Sequence, residues 1–269
     1  MAVVKRGVAI TSLQHWKEES GPKRDNQWKE GRSALEVARA WLTAGDHLPD
    51  EVLTALRQHP AFGEVTDWQG EPEVPLRFDG FRGEPRNSDL VVHTRDDHGE
   101  VLLAIEAKAD EPFGETTADA LAAALDRLLT NPRSNGLRRI QQLAAAILGQ
   151  RQKYDVPLKD IRYQLLTATA GAICEAERRR VGRVVLLIQE FITDKTKAKK
   201  HLANEVDLDL FVRRASHGMY CKVSSGEIVG PIQLPGKPLF SDSVKFYVAK
   251  VSRNIRTLQL PLASPLPAP

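Results

Sequence analysis

Cysteine is scarce in this chain of 269 residues, which contains only Cys174 and Cys221. Two cysteines 47 positions apart form neither a disulfide framework nor a metal-binding spacing of the zinc type. This usage is typical of proteins kept in a reducing compartment. We therefore expect a cytoplasmic protein whose fold is stabilised by a hydrophobic core.

Long apolar runs and several catalytic motifs are also absent from the sequence. No window approaches the ~18 apolar residues of a membrane span, and the first 20 residues lack a secretory signal pattern. The sequence has no G-x-S-x-G elbow and no phosphate-binding loop, and its seven histidines do not cluster. We expect no membrane partner, and these absences argue against a serine hydrolase, a nucleotide hydrolase and a zinc site.

The chain does contain enough apolar residues, 42% of the total, for one sizeable core. Periodicity and turn residues predict helices at 33–44, 49–58, 117–129, 134–149, 173–181 and 194–204. They predict strands at 89–94, 100–108, 161–168, 184–191, 218–223 and 244–251. This order favours an α/β layered fold with a mixed sheet and flanking helices, in which 161–191 forms a parallel strand–helix–strand crossover. Residues 63–78 contain Pro72 and Pro75 and are expected to form edge strands or loops.

The domain organisation follows from the same pattern. We expect residues 1–192 to form the main core with an N-terminal helical segment, and residues 193–256 to form a small, strand-containing C-terminal extension of the same domain. Residues 257–269 are a Pro-rich tail with the composition of a loosely packed segment.

The most informative segment is 88–114, which predicts a hairpin with polar residues at its open end. Side chains alternate along a strand, so Glu106 and Lys108 share one face, and antiparallel pairing brings Asp89 close to both. Packing alone does not explain a glutamate and a lysine at the end of an apolar strand. Two carboxylates beside a lysine suit a hard divalent cation next to a scissile phosphate. The alternative is a solvated Glu–Lys pair at a strand end.

The arrangement of Asp89, sixteen intervening residues and then Glu106-Ala107-Lys108 resembles the PD-(D/E)XK, or restriction-endonuclease-like, nuclease superfamily. The resemblance covers roughly residues 33–191, with Ser88 where many members have proline. It implies a Mg²⁺- or Mn²⁺-dependent endonuclease, a hydrolase of phosphodiester bonds. Asp89 and Glu106 would be metal ligands, the Ala107 carbonyl a possible third, and Lys108 a catalytic residue.

Further candidates follow from the resemblance. Many members carry an acidic residue on the first helix, which points to Glu36, with Glu30 just outside that helix. Glu36 also suits a capping box with Ser33. Related nucleases often place a glutamine near the site, which points to Gln164 on the predicted strand 161–168, although such a residue is also often a satisfied polar group. Asp110, Glu111 and Glu73 are weaker candidates, and the first two also suit a loop cap.

Charge is unevenly distributed, although the net charge is only +3. Residues 89–119 hold nine acids and two bases, whereas 131–153 hold five bases and no acid, and 178–200 hold eight bases and two acids. An acidic site flanked by basic segments favours a nucleic-acid partner, DNA more than RNA. Solvated helix faces are the alternative, and no interleaved aromatic residues indicate base stacking.

Cutting both strands generally requires two sites, so a homodimer is possible. A catalytically inactive nuclease-fold protein that binds nucleic acid or a protein partner is the competing hypothesis.

Overall fold

A computed structural model describes residues 1–83 and 85–255 of the chain. The predicted α/β class is confirmed: helices flank a mixed sheet of eight strands. The proline-rich tail predicted at 257–269 lies outside the described residues. The strands are β1 (Ala2–Lys5), β2 (Val8–Ala9), β3 (Val65–Leu76), β4 (Arg86–Asp96), β5 (Gly99–Lys108), β6 (Arg183–Thr193), β7 (Glu227–Ile232) and β8 (Lys245–Ile255).

The strands run in the spatial order β2-β1-β3-β4-β5-β6-β8-β7. The segment β3-β4-β5 is antiparallel, and β5, β6 and β8 are mutually parallel. Strand β7 pairs antiparallel with β8, so β8 lies between β6 and β7. The segment after residue 193 thus contributes two strands to the same sheet as the predicted hairpin.

Helices cover both faces of the sheet. The face that carries Val91 and Ala104 packs against the later helices, and the face that carries Leu90 and Ile105 packs against the first three. This alternation of buried residues on both faces is expected for a sheet enclosed between two helical layers. The helices are α1 (Leu13–Ser20), α2 (Ser33–Thr43), α3 (Asp50–Gln58), α4 (Thr117–Thr130), α5 (Gly136–Leu143, extended by a π-helical turn), α6 (Tyr163–Arg179) and α7 (Ala198–Ala215).

The strand predicted at 161–168 is wrong, because most of this segment forms the start of α6. That helix is buried on nearly all sides between the sheet and the neighbouring helices, so its sequence is apolar without a helical stripe. A short apolar run of this kind is compatible with either a buried strand or a buried helix. The parallel crossover therefore joins β5 to β6 through α4, α5 and α6.

Three other segments differ from the expected pattern. Residues 65–76 form one twelve-residue strand despite Pro72 and Pro75. Strand β1 pairs with β3 only at Gln69 and Gly70, so within the described chain the part of β3 with the prolines is paired with β4 alone. Prolines are tolerated there because no second strand needs their missing N–H groups. Residues 218–223 form no strand, and the basic helix begins at Ala198.

Candidate active site

The hairpin of β4 and β5 is held in register by its turn. The Asp96 carboxylate accepts hydrogen bonds from the His98 N–H at 2.8 Å and the Gly63 N–H at 2.9 Å. Gly99 adopts a φ of +114°, a conformation that glycine tolerates best. The predicted hairpin is thus confirmed, and its register pairs Leu90 with Ile105.

This register brings Asp89 to the strand end that carries Glu106 and Lys108. Asp89 Oδ2 accepts a hydrogen bond of 2.7 Å from the Ala107 N–H, which ties the first strand to the second. The Glu106 and Lys108 side chains are almost completely buried, with 1% and 5% of their surface exposed. The three side chains lie on the face of the sheet that packs against α6.

Gln164 also reaches this site, although from a helix and not from the predicted strand. It lies in the first turn of α6, where its Nε2 donates a hydrogen bond of 2.9 Å to Glu106 Oε2. Its Oε1 lies 3.4 Å from Lys108 Nζ. Gln164 therefore bridges the glutamate and the lysine of the Glu-X-Lys triplet.

Arg86 is a site residue that the sequence did not predict. It begins β4, and its guanidinium forms an ion pair with Glu106 Oε2. The same oxygen accepts the bond from Gln164. Glu106 is consequently oriented by two donors, one of them positively charged. A basic residue three positions before an aspartate gives no signal strong enough to predict this contact.

Negative charge accumulates around Asp89. Burial and the neighbouring Glu106 carboxylate raise the pKa of Asp89 from its usual 3.8 to about 7, against the opposing effect of Lys108. Burial also raises the pKa of Glu73, which accepts a hydrogen bond from Asn87 and lies on β3 between the partners of Leu90 and Ser88. Glu73 has a φ of +49°, a strained conformation for this residue type. Backbone strain of this kind is concentrated at functional sites.

The donor set fits a hard divalent cation only if water completes its coordination. Within residues 1–83 and 85–255, no group of three or more His, Cys, Asp and Glu side chains is arranged to hold a metal. Asp89 and Glu106 supply two carboxylates, and their mutual repulsion is what a cation would relieve. Mg²⁺ commonly binds through one or two carboxylates and keeps several waters. The resemblance pointed to the Ala107 carbonyl as a possible third ligand. The Ala107 group that contacts Asp89 is instead the backbone N–H.

Glu36 lies on the other side of the sheet. Helix α2 belongs to the layer that packs on the Leu90 and Ile105 face, whereas Glu106 faces α6. Glu36 Oε1 accepts a hydrogen bond of 2.8 Å from the Gly31 N–H, and its buried Oε2 has no hydrogen-bond partner among the described residues. The expected capping box with Ser33 is wrong, because Glu36 holds the chain that precedes the helix. Glu30, just before it, pairs with Lys195 and Arg39.

The weaker candidates after Lys108 fix the loop that follows it. Glu111 Oε2 accepts hydrogen bonds from the N–H groups of Ala109 and Asp110, at 3.1 and 3.0 Å. Asp110 forms an ion pair of 2.7 Å with Lys200. Both carboxylates are therefore occupied by the local backbone or by a lysine.

A second charged cluster adjoins Lys108 and was not predicted. The parallel register pairs Lys108 with Glu190 on β6. Glu190 accepts a hydrogen bond of 2.9 Å from Ser252, lies 2.9 Å from His201 Nδ1 and lies 3.7 Å from Lys250 Nζ. His201 Nε2 is buried, and residues 1–83 and 85–255 offer it no hydrogen-bond partner. The only sequence signal was the polar Gln189-Glu190 pair inside the apolar run of β6.

The basic segments are placed unevenly around the site. Arg178 and Arg179 pair with Glu175, and Arg183 pairs with Asp96 at the hairpin turn. This turn is the end of the hairpin opposite Glu106, so the first half of the 178–200 segment serves structural contacts. Lys200, by contrast, contacts Asp110 just after β5, close to the site.

Comparisons with known proteins give a family without a described activity. Searches of curated proteins and of solved structures found no match. Among the described residues, no helix is both long and apolar enough to cross a membrane. The family profile of DUF6946, a domain of unknown function, matches residues 9–254. Since this match spans nearly the whole sequence, the chain belongs to the DUF6946 family.

Proposed function

We propose that this protein is a metal-dependent nuclease of the PD-(D/E)XK type that hydrolyses phosphodiester bonds, in DNA more than in RNA. The observation that carries the proposal is the meeting of Asp89, Glu106, Lys108 and Gln164 at one end of the hairpin. A solvated Glu–Lys pair would not be buried, bridged by a glutamine from a distant helix and placed beside a carboxylate of raised pKa.

The residues have separable roles in this proposal. Asp89 and Glu106 would hold Mg²⁺ or Mn²⁺, which supplies Lewis-acid polarisation of the scissile phosphate. Lys108 neutralises the charge that develops on the phosphate, because its ammonium group is positioned before the reaction. Two contacts hold it: Gln164 Oε1 at 3.4 Å and the Phe113 ring, whose centroid lies 5.0 Å from Nζ.

The negatively charged phosphate backbone of the substrate would be attracted by arginine and lysine residues on both sides of the site. Arg138 and Arg139 lie on α5, and Lys200 lies on α7. Phosphate contacts of this kind position nucleic acid without selecting a sequence. The two cysteines are free, in keeping with a reducing compartment, and we propose a cytoplasmic location.

The test is cleavage of supercoiled plasmid, linear duplex and single-stranded DNA and RNA, with Mg²⁺, Mn²⁺ or EDTA. We expect metal-dependent cleavage, which Glu106→Gln and Lys108→Ala each reduce at least ~100-fold. Lys159→Ala is the matched control, since Lys159 is an exposed lysine distant in sequence from the hairpin. Cleavage that survives unchanged in both site variants would refute this assignment of residues.

One observation favours the competing function, a nuclease-fold protein that binds nucleic acid without cutting it. Arg86 neutralises Glu106 directly, so the site can remain stable without a cation. This alternative predicts salt-sensitive DNA binding, no change of melting temperature with Mg²⁺ or Mn²⁺, and no cleavage of any substrate. A rise in melting temperature with the cation that Glu106→Gln abolishes would exclude it.

A further inference from the structure

A cavity of 330 Å³ opens directly beside the candidate site. It lies between the connection from β3 to β4, helix α5 and the start of α6. Arg86 and Gln164, the two donors to Glu106 Oε2, also line this cavity. A ligand in the cavity therefore contacts the residues that orient the glutamate.

The cavity walls are rich in aromatic rings that come from separate parts of the chain. They are contributed by Phe78, Phe81, Phe113 and Tyr163. Phe113 is fully buried, and the other three lining residues are partly exposed. The sequence showed no interleaved aromatic residues because these rings come from three different segments that only the fold brings together. Aromatic walls suit a planar ligand, because its ring can stack on theirs.

Two arginines stack near one aromatic ring of the same cavity. The guanidinium carbons of Arg138 and Arg139 lie 5.6 and 5.8 Å from the centroid of the Phe81 ring. Arg139 is held there by two hydrogen bonds to Asp79, at 2.6 and 3.2 Å. The charge of Arg139 is thus paired with Asp79, and its guanidinium offers a planar face for stacking. Arg138 is exposed beside the same ring and offers its charge to a phosphate.

Phe113 connects the cavity to the lysine of the site. One ring lines the cavity and also has Lys108 Nζ 5.0 Å from its centroid. A planar group in the cavity would thus have its adjoining phosphate near Lys108 and Glu106. This connectivity matches one nucleotide, with its base in the cavity and its phosphate at the hairpin end.

We propose that the cavity binds an unpaired nucleobase, which makes single-stranded nucleic acid the substrate class of the site. The direction of the phosphate towards Lys108 rests on the proposed nuclease function. The base itself is recognised by stacking, which is available only where the base is free of a duplex. Blunt double-stranded DNA presents no such base without the added cost of flipping one out.

The experiment measures binding in EDTA, so that cleavage does not interfere. The probe is a short all-thymine DNA strand that carries one 2-aminopurine, whose fluorescence is quenched when it stacks on an aromatic ring. We expect the wild-type protein to quench the probe, and unlabelled single strand to compete at least about tenfold better than a blunt duplex of equal length. Phe81→Leu keeps the apolar volume but removes the ring, and should weaken binding about tenfold.

Two further variants control for loss of folding and for general effects of aromatic residues. Phe81→Tyr keeps the ring and should keep the quenching. Tyr154→Leu removes a ring that is 82% exposed, has Lys153 Nζ 5.4 Å from its centroid and lies outside the cavity, so it should bind as the wild type does. Equal loss in Phe81→Leu and Tyr154→Leu, equal competition by the duplex, or no quenching by the wild type would each overturn the base site.

This outcome is separable from that of the nuclease proposal. Phe81-dependent quenching without cleavage of any substrate would support the base site and refute the nuclease. Metal-dependent cleavage, together with unchanged single-strand binding in Phe81→Leu, would overturn the base site alone.

Discussion

Gln164 Nε2 lies 2.9 Å from Glu106 Oε2, although the two residues are 58 positions apart in the chain. The contact joins the first turn of α6 to the end of β5, and the same glutamate oxygen is paired with Arg86. Glu106 is thereby fixed from two directions before any ligand arrives. Because the Glu106 side chain is already oriented, it need not be reoriented when a substrate binds.

Gln164 is therefore expected to act as a positioning residue. In Gln164→Ala we expect cation affinity and turnover to fall roughly 10- to 100-fold, because Glu106 and Lys108 each lose a partner. Mn²⁺ titration and separate measurement of kcat and KM provide the test. Gln152→Ala, at an exposed glutamine, is the matched control. Unchanged cation affinity in Gln164→Ala would contradict the positioning role.

Arg86 should oppose cation binding in the free protein. Arg86→Gln removes the positive charge paired with Glu106, so a cation becomes the main compensation for two adjacent carboxylates. We expect the metal-free variant to lose about 1–3 kcal/mol of stability, and Mg²⁺ to raise its melting temperature more than that of the wild type.

Differential scanning fluorimetry with increasing Mg²⁺ measures both effects of Arg86→Gln. Arg82→Gln changes an exposed arginine of the same connection and should match the wild type. If the Mg²⁺-induced shift is smaller in Arg86→Gln than in the wild type, the proposed competition between arginine and cation is wrong.

Asp89 should make the stability of the metal-free protein dependent on pH. Its pKa is about 7 in the folded protein and near its usual 3.8 in the unfolded chain, so the folded state binds an extra proton between these values. The free energy of unfolding should therefore fall as pH rises from about 4 to about 7, and then level off. Asp89→Asn should flatten much of this dependence.

Urea unfolding in EDTA between pH 5 and pH 8 tests the role of Asp89 through the difference between wild type and variant. Asp97→Asn, at an exposed aspartate of the hairpin turn, should keep the wild-type dependence. The same slope in Asp89→Asn as in the wild type would show that another group is responsible.

The hairpin turn offers a prediction about stability alone. Arg183 bonds both carboxylate oxygens of Asp96 at 2.6 and 2.9 Å, with only 10% and 2% of the side chains exposed. Asp96→Ala leaves a buried arginine unpaired and should cost about 3–5 kcal/mol. Glu100→Ala breaks the pair with Arg95, whose side chains are 63% and 50% exposed, and should cost at most about 1 kcal/mol. Similar losses by chemical denaturation would contradict this difference.

The sequence predicted the hairpin and the relative positions of its charged residues, because strand alternation and a tight turn are local properties. It did not predict the element that carries Gln164, since a helix buried on most sides lacks the polar face that reveals helical periodicity. It placed Glu36 with the site because it could not show which face of the sheet α2 covers.

Long-range contacts account for the residues that were missed. Arg86 and Glu190 meet the site only through strand pairing and crossover geometry, and neither lies in a motif. The aromatic cavity was even harder to predict from the sequence. Its rings come from three separate segments, and no sequence pattern links them. Local periodicity predicts elements, whereas such a cavity depends on how distant elements pack.

The position of β8 between β6 and β7 has a consequence for the order of assembly during synthesis. When β6 leaves the ribosome it can pair with β5. Among the described strands, only β8 pairs with the other edge of β6 and with β7, so both wait until β8 has been made. An open apolar edge favours pairing with other chains. Nascent chains released before residue 245 should therefore aggregate or recruit chaperones, even though they already contain every residue of the hairpin site.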